Sequence, residues 1–188
     1  MKKQSTPAYI LRLALTLLLI TGVVAAALAG INALTAPKIA ELNAKKTQDA
    51  IEAVLPGGGE EIDFADETGM VRKVYASDAG FAVLVEPNGF GGKISMMVGF
   101  STVGNITGVS IISHTETASL GAVAAADNSA GENFRDQYVG QSGSLAVTQD
   151  GGVIDSITGA TITSRAVTVG VNAATACIEP LRWKGAAE

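Results

Sequence analysis

The stretch "KISMMVGF", residues 93–100, alternates: Ile94, Met96, Val98 and Phe100 fall on one side by period two. That is the period of a β-strand, whose successive side chains point to opposite faces, and four large apolar groups on one face call for a sheet packed on that side. Working outward, "VRKVYAS" (71–77), "FAVLVEP" (81–87) and "ITGVSIIS" (106–113) read as further strands, with glycine-containing turns between them. "SLAVTQ" (144–149) reads as another. "ENFRDQYVG" (132–140) reads as a short helix, and residues from about Ser164 to Leu181 as a longer one, with Ala166, Val169, Ala173, Ala176 and Cys177 as its buried stripe. The stretch 57–69, "GGGEEIDFADETG", reads as a glycine-rich acidic loop with solvated charges. The soluble part is therefore α+β, with a mainly antiparallel sheet and flanking helices.

Before this domain the chain is apolar. Leu13 to Leu34, about 22 residues, pass without a charge, which at about 1.5 Å per residue is enough to cross the roughly 30 Å hydrocarbon layer. A cleaved signal peptide also begins with basic residues and ends in small ones, as Met1-Lys2-Lys3 and "VVAAALAG" do here. The apolar run, however, exceeds the roughly 7–15 residues of a signal's core and continues through Ile31 and Leu34. A retained anchor is the expectation. Lys2, Lys3 and Arg12 precede it, and the positive-inside rule puts the N-terminus in the cytoplasm and the rest outside. After Pro37, Ile39, Leu42, Ala50, Ile51, Val54 and Leu55 recur at near-helical spacing up to a Pro-Gly stop. The expected division is an anchor over 1–36, a connecting helix over 37–56, and an extracytoplasmic domain over 57–188.

Composition removes many chemistries. A net charge of −5 offers no basic patch for phosphates, so nucleic acid is not an expected partner. His114 is the only histidine and Cys177 the only cysteine, which leaves no set for a zinc or iron–sulfur site. Cys177 lies in the apolar run "VNAATACIEPL" and reads as core. A hydrolase built on His114 lacks a G-x-S-x-G elbow, and "GFGG" (89–92) lacks the strand-to-helix setting of a dinucleotide loop, so it reads as a hairpin. With so few catalytic side chains, redox or group-transfer chemistry has to be carried by a cofactor.

One stretch concentrates hydroxyls. "GGVIDSITGATITSRAV" (151–167) holds Thr158-Gly159-Ala160-Thr161 after Asp155 and before Thr163 and Ser164. Small hydroxyl residues are common where a turn enters a helix, so a plain helix cap is one reading. The other comes from resemblance. "DSITGAT" resembles the flavinylation motif of the FMN-binding domain family, "NGFGGKISMMVGF" (88–100) is similar to that family's glycine-rich hairpin and strand, and "HTETASLG" (114–121) resembles its His-x-Glu-Thr-x-x-Leu-Gly segment. With the anchor and the approach helix "NAKKTQDAIEAVLPG", the likeness runs along nearly the whole chain. It is greatest to the G subunits of Rnf electron-transport complexes, which resemble the C subunits of sodium-pumping NADH:quinone oxidoreductases.

The resemblance implies a single-pass protein of the bacterial inner membrane that carries electrons through covalent FMN within an ion-translocating ferredoxin:NAD+ oxidoreductase. It implies partners among the other redox subunits and a flavin transferase for maturation, with Asp155 serving the transferase. The FMN phosphate is expected on the Thr161 hydroxyl, within the turn Thr158, Gly159 and Ala160. Glu116, Thr117, Leu120 and Gly121 are expected beside the flavin, Glu and Thr at its polar edge and Leu over the ring. The family commonly has Pro-Gly where this chain has Ala118-Ser119, which implies a looser loop there. His114 is expected to be structural. The alternatives are an anchored assembly or interaction subunit without flavin, and the C-type subunit of a sodium-pumping NADH:quinone oxidoreductase.

Overall fold

The computed structural model describes residues 6–185, and the basic start Met1, Lys2 and Lys3 lies outside them. A first helix, α1, spans Thr6–Val54 and continues through Pro37. The chain divides between Lys45 and Lys46 into two compact units. In the first, α1 is long and apolar enough to cross a membrane. Leu13, Leu17, Leu18, Leu28, Ile31 and Leu34 are all exposed along it.

The second unit is built on five strands, β1 (Glu60–Ile62), β2 (Val71–Ser77), β3 (Gly80–Val85), β4 (Ser95–Ser101) and β5 (Ile106–Ser113), lying side by side in chain order. Every neighbour is antiparallel, so the α+β expectation with an antiparallel sheet holds. Two helices follow, α2 (Ser129–Asp136) and α3 (Thr161–Gly185).

Ile94, Met96, Val98 and Phe100 are buried in one cluster, where Val167, Val171, Ala174 and Ile178 of α3 cover the sheet. Burying a side chain of this size contributes about 1.5–3 kcal/mol, so this layer dominates the domain's stability. The opposite face is not bare, as packing on one side alone would leave it. Met97 and Ala82 meet Ala50, Ile51, Val54 and Leu55 from the end of α1 in a second cluster. The close approach depends on Gly99, where a Cβ would collide with the Val54 carbonyl oxygen and sit 2.6 Å from the Val54 Cβ. Thr107 Oγ1 donates to that same Val54 carbonyl at 2.6 Å, pinning the helix end to β5.

Several local expectations shift. The acidic loop contains β1, paired with β2 through Glu60–Ala76 and Ile62–Val74. "SLAVTQ" is not a strand, because the Asn172 side chain takes both backbone groups of Leu145, accepting from its N–H and donating to its carbonyl at 2.8 Å each. With its backbone satisfied from α3, the segment needs no sheet neighbour and keeps only a bridge from Val147 to Ile154. The short helix starts at Ser129, ahead of Glu132, since the Asn128 side chain caps it by accepting from Gly131 N–H. The long helix starts at Thr161, ahead of Ser164, because Ser164 N–H already bonds the Ala160 carbonyl at 3.0 Å. Its buried stripe keeps Ala166, Ala173 and Cys177, whereas Val169 and Ala176 are exposed. Burial pushes the Cys177 thiol up to about 11, so it stays protonated as a core residue.

Gly99→Ala is expected to lower domain stability by about 1–3 kcal/mol through overpacking against Val54. Thermal unfolding of the full chain in detergent checks this, with Gly108→Ala as a milder comparison, since a Cβ there meets Val54 Cγ1 at an ordinary 3.4 Å.

Candidate functional site

Three separate segments converge on one concavity. The hairpin between β3 and β4 is closed by Gly89 N–H to the Gly92 carbonyl at 2.7 Å and by Ile94 N–H to the Pro87 carbonyl at 2.9 Å. It therefore turns as "GFGG" suggests, and it carries Phe90 at its tip. The segment after β5 runs 114–121. The third segment is the turn Ile157–Ala160 and the start of α3.

Together they line a pocket of about 320 Å3, whose walls are Phe90, Glu116, Thr117, Leu120, Gly121, Gly159, Ala160, Thr161, Ile162 and Thr163. Seven of the eight expected site residues meet there: Thr161, Gly159, Ala160, Glu116, Thr117, Leu120 and Gly121. Thr158 does not. It sits exposed on the outside of the turn. Phe90, Ile162 and Thr163 line the wall without having been expected to, although an aromatic residue set among glycines at a hairpin tip was a usable clue. Phe90, Leu120 and Ile162 are 68%, 43% and 53% exposed, so three large apolar side chains ring the opening.

Glu116 joins the segments. It is only 8% exposed, and one carboxylate oxygen accepts from Gly91 N–H at 2.8 Å while the other accepts from Thr163 Oγ1. Its backbone N–H donates to His114 Nδ1 at 3.2 Å, which gives His114 a local structural role. The space between them is full: a Cβ on Gly121 would lie 2.5 Å from both Glu116 Oε2 and Thr163 Oγ1. Ser119 adopts φ +62. This is the left-handed region that glycine favours, at the position where the family commonly has glycine. Its neighbour Leu120 lies against the turn, 3.1 Å from where a Cβ on Gly159 would be.

Thr161 is half-buried and is the first residue of α3. The backbone N–H groups of a helix's first turn have no partner within the helix and face its N-terminal end. The turn before it is held from outside as well: Gln137 accepts from Asp155 N–H at 2.6 Å and donates to the Asp155 carbonyl at 3.2 Å. Asp150 and Arg165 pair through two bonds of 2.6 Å. Asp155 itself is exposed, its backbone held by this clamp.

The walls fit a flavin nucleotide. A flavin is a flat, largely apolar ring with a polar edge and a phosphate tail. The pocket offers an apolar ring of side chains, hydroxyl and carboxylate groups at its base, and a helix N-terminus suited to an anion. Comparison with known proteins agrees. An FMN-binding domain model matches residues 89–176, which enclose all eight expected residues.

The chain is 34% identical over 186 residues to the G subunit of the Na(+)-translocating ferredoxin:NAD(+) oxidoreductase complex of Acetobacterium woodii, covering 87% of this chain and 88% of that protein. It is 31% identical over 163 residues to the proton-translocating counterpart of Clostridium ljungdahlii, with 82% of each covered. The G subunit of an ion-translocating oxidoreductase complex of Methanosarcina acetivorans is 32% identical over 172 residues, with 84% and 88% covered. The chain belongs to the family of G subunits of ion-translocating oxidoreductase complexes. The matched FMN-binding region of this chain begins at the glycine hairpin and ends in α3, so it spans the three segments that build the pocket.

Thr163→Val is expected to cost about 1–3 kcal/mol, because it leaves a buried Glu116 oxygen without its donor. Thr163→Ser keeps the hydroxyl and should cost less. Chemical denaturation of both variants beside the parent chain measures the difference.

Proposed function

We propose that this chain is a membrane-anchored flavoprotein electron carrier in a multi-subunit ion-translocating ferredoxin:NAD+ oxidoreductase, with FMN joined through its phosphate to Thr161. When bound, FMN supplies a group that takes up and gives back one or two electrons. The observation that carries this reading is the pocket: a hydroxyl on the first residue of α3 opens into the concavity where the glycine hairpin, the 114–121 segment and the helix start converge.

Each residue has a physical task. Phe90, Leu120 and Ile162 cover the ring's apolar surface and exclude water from it. Thr117 offers a hydroxyl to its polar edge. Glu116, with both oxygens already engaged, holds the walls and sets the electrostatics near the ring. The unpaired N–H groups and dipole of α3 stabilise the phosphate. Gly159, at φ +76, and Ala160 keep the approach to Thr161 free of bulk.

Attachment needs a flavin transferase and an activated donor, a flavin dinucleotide. The Thr161 oxygen forms a bond to the FMN phosphorus, the phosphoanhydride bond breaks, a nucleoside monophosphate leaves, and the hydroxyl proton is released. No oxidation state changes. Asp155, exposed beside the turn, is placed to meet the transferase. Outside the cytoplasm a dissociable cofactor would be lost to a large volume; a covalent one is retained whatever its affinity.

The anchor reading rests on α1, whose large apolar side chains from Tyr9 to Leu42 are exposed. Residues 1–36 form the cytoplasmic start and single inner-membrane span, 37–56 the connecting helix, and 57–188 the extracytoplasmic domain. Mature protein from membranes should keep Met1 or Lys2 at its N-terminus, and a cysteine placed at exposed Val153 should react with an impermeant maleimide added to intact cells. A chain starting after Ala29 would remove the anchor, and labelling only after lysis would reverse the orientation.

For the flavin, Thr161→Ala and Thr161→Val should abolish the mass of FMN less water after co-expression with a flavin transferase, with the fold retained. Thr161→Ser should attach less, since it keeps the oxygen but loses the rotamer restriction of a β-branched side chain. Full FMN mass on Thr161→Ala would overturn the assignment. A parent chain with no fluorescent band on a denaturing gel would instead favour an assembly subunit without flavin.

A further inference from the structure

We infer that Ser164 is a positioning residue for flavin attachment, holding the Ile157–Ala160 turn so that the next residue, Thr161, presents its hydroxyl in one place. The inference rests on the reading of Thr161 as the attachment site.

Ser164 has no exposed surface, and its single oxygen ties both ends of the turn. It accepts from Ile157 N–H at 3.0 Å and donates to the Ala160 carbonyl at 3.0 Å. The second bond is the ordinary local one that a helical serine makes to the carbonyl four residues back. The first is not, for it reaches seven residues back, beyond the helix start. The turn has its own closure as well, from Ala160 N–H to the Ile157 carbonyl at 2.9 Å. Thr158 and Gly159 between these ends are exposed. An enzyme therefore meets an open turn whose two ends are fixed from beneath by one buried atom.

Ser164 is itself held. Its carbonyl accepts from Thr168 Oγ1 at 2.9 Å, and Thr168 Oγ1 lies 2.8 Å from the Tyr138 hydroxyl. Since the Thr168 proton is given to Ser164, Tyr138 is the donor to Thr168. Burial pushes the Tyr138 phenol up to about 12, opposed by the Thr168 hydrogen bond, so that proton is in place throughout the physiological range. A run of buried hydrogen bonds thus leads from Tyr138, just past α2, through Thr168 to the Ser164 backbone carbonyl. The transfer forms the Thr161 oxygen–phosphorus bond as the dinucleotide's phosphoanhydride breaks, and a displaced nucleophile loses rate steeply, by about 100-fold for 1 Å.

The test follows the rate at which full-length chain in detergent gains the mass of FMN less water when incubated with a flavin transferase and flavin dinucleotide. Ser164→Ala should cut kcat/KM for the chain at least tenfold, mostly in kcat, because the exposed recognition residues are unchanged. Ser164→Cys preserves the packing volume but hydrogen-bonds weakly, so it should also be slow. Thr175→Val removes another buried hydroxyl, one that bonds the Val171 carbonyl away from the turn, and it should stay within twofold of the parent while losing comparable thermal stability. Ser164→Ala and Ser164→Cys within twofold of the parent, or Thr175→Val slowed as much as Ser164→Ala, would overturn the inference and leave Thr161 standing. A parent chain that gains no FMN mass would overturn it through the Thr161 reading instead.

Discussion

The pocket depends on one buried carboxylate. Glu116 is nearly closed off from water, and an acid in that position is tolerated only where its oxygens find donors. It finds them on two different segments, Gly91 N–H on the hairpin and the Thr163 hydroxyl on α3. The requirement works in both directions. The carboxylate needs both segments in place, so their relative position is set to within a hydrogen bond. Gly121 completes this arrangement by leaving no side chain in the space that the carboxylate and hydroxyl share.

The hydroxyl-rich turn is a division of labour among similar residues. Thr158 faces outward, Thr161 faces the pocket, Thr163 serves the Glu116 carboxylate, and Ser164 ties the turn from within. A helix cap accounts for none of these four, because α3 begins at Thr161 and the two later hydroxyls lie inside its first turn. Their inward direction follows from helix geometry: positions 163 and 164 share the buried side with Val167, three to four residues further on, and with Val171, one turn beyond that. Ile162, between Thr161 and Thr163, is left exposed at the pocket.

The sheet is held from two sides by helices of different kinds. α3 supplies an ordinary amphipathic face to the larger core. α1 contributes only its last turn, from Ala50 to Val54, with Leu55 just after it, and these reach the sheet because Gly99 on β4 lets the backbone of Val54 come close. One continuous helix thus supplies both an apolar membrane-length segment and a piece of the domain's core.

The periodic features were legible in the amino-acid order. Alternation in 93–100 placed Ile94, Met96, Val98 and Phe100 on a single face, the charge-free run marked α1, and three short motifs marked the segments that form the pocket. These are local or pattern-level properties, carried by residue type and spacing. Tertiary structure decided the rest, because it turns on which distant group reaches a backbone first. Asn172 captured Leu145 and cancelled a strand; the end of α1 covered the second sheet face; Phe90 and Thr163 joined the pocket from 73 residues apart along the chain. Thr163 and Ser164 look alike in sequence beside Thr161. Only the packing of α3 against Glu116 and the Ile157 turn gives their hydroxyls different partners, since a hydroxyl donates to whatever acceptor the fold brings within about 3 Å.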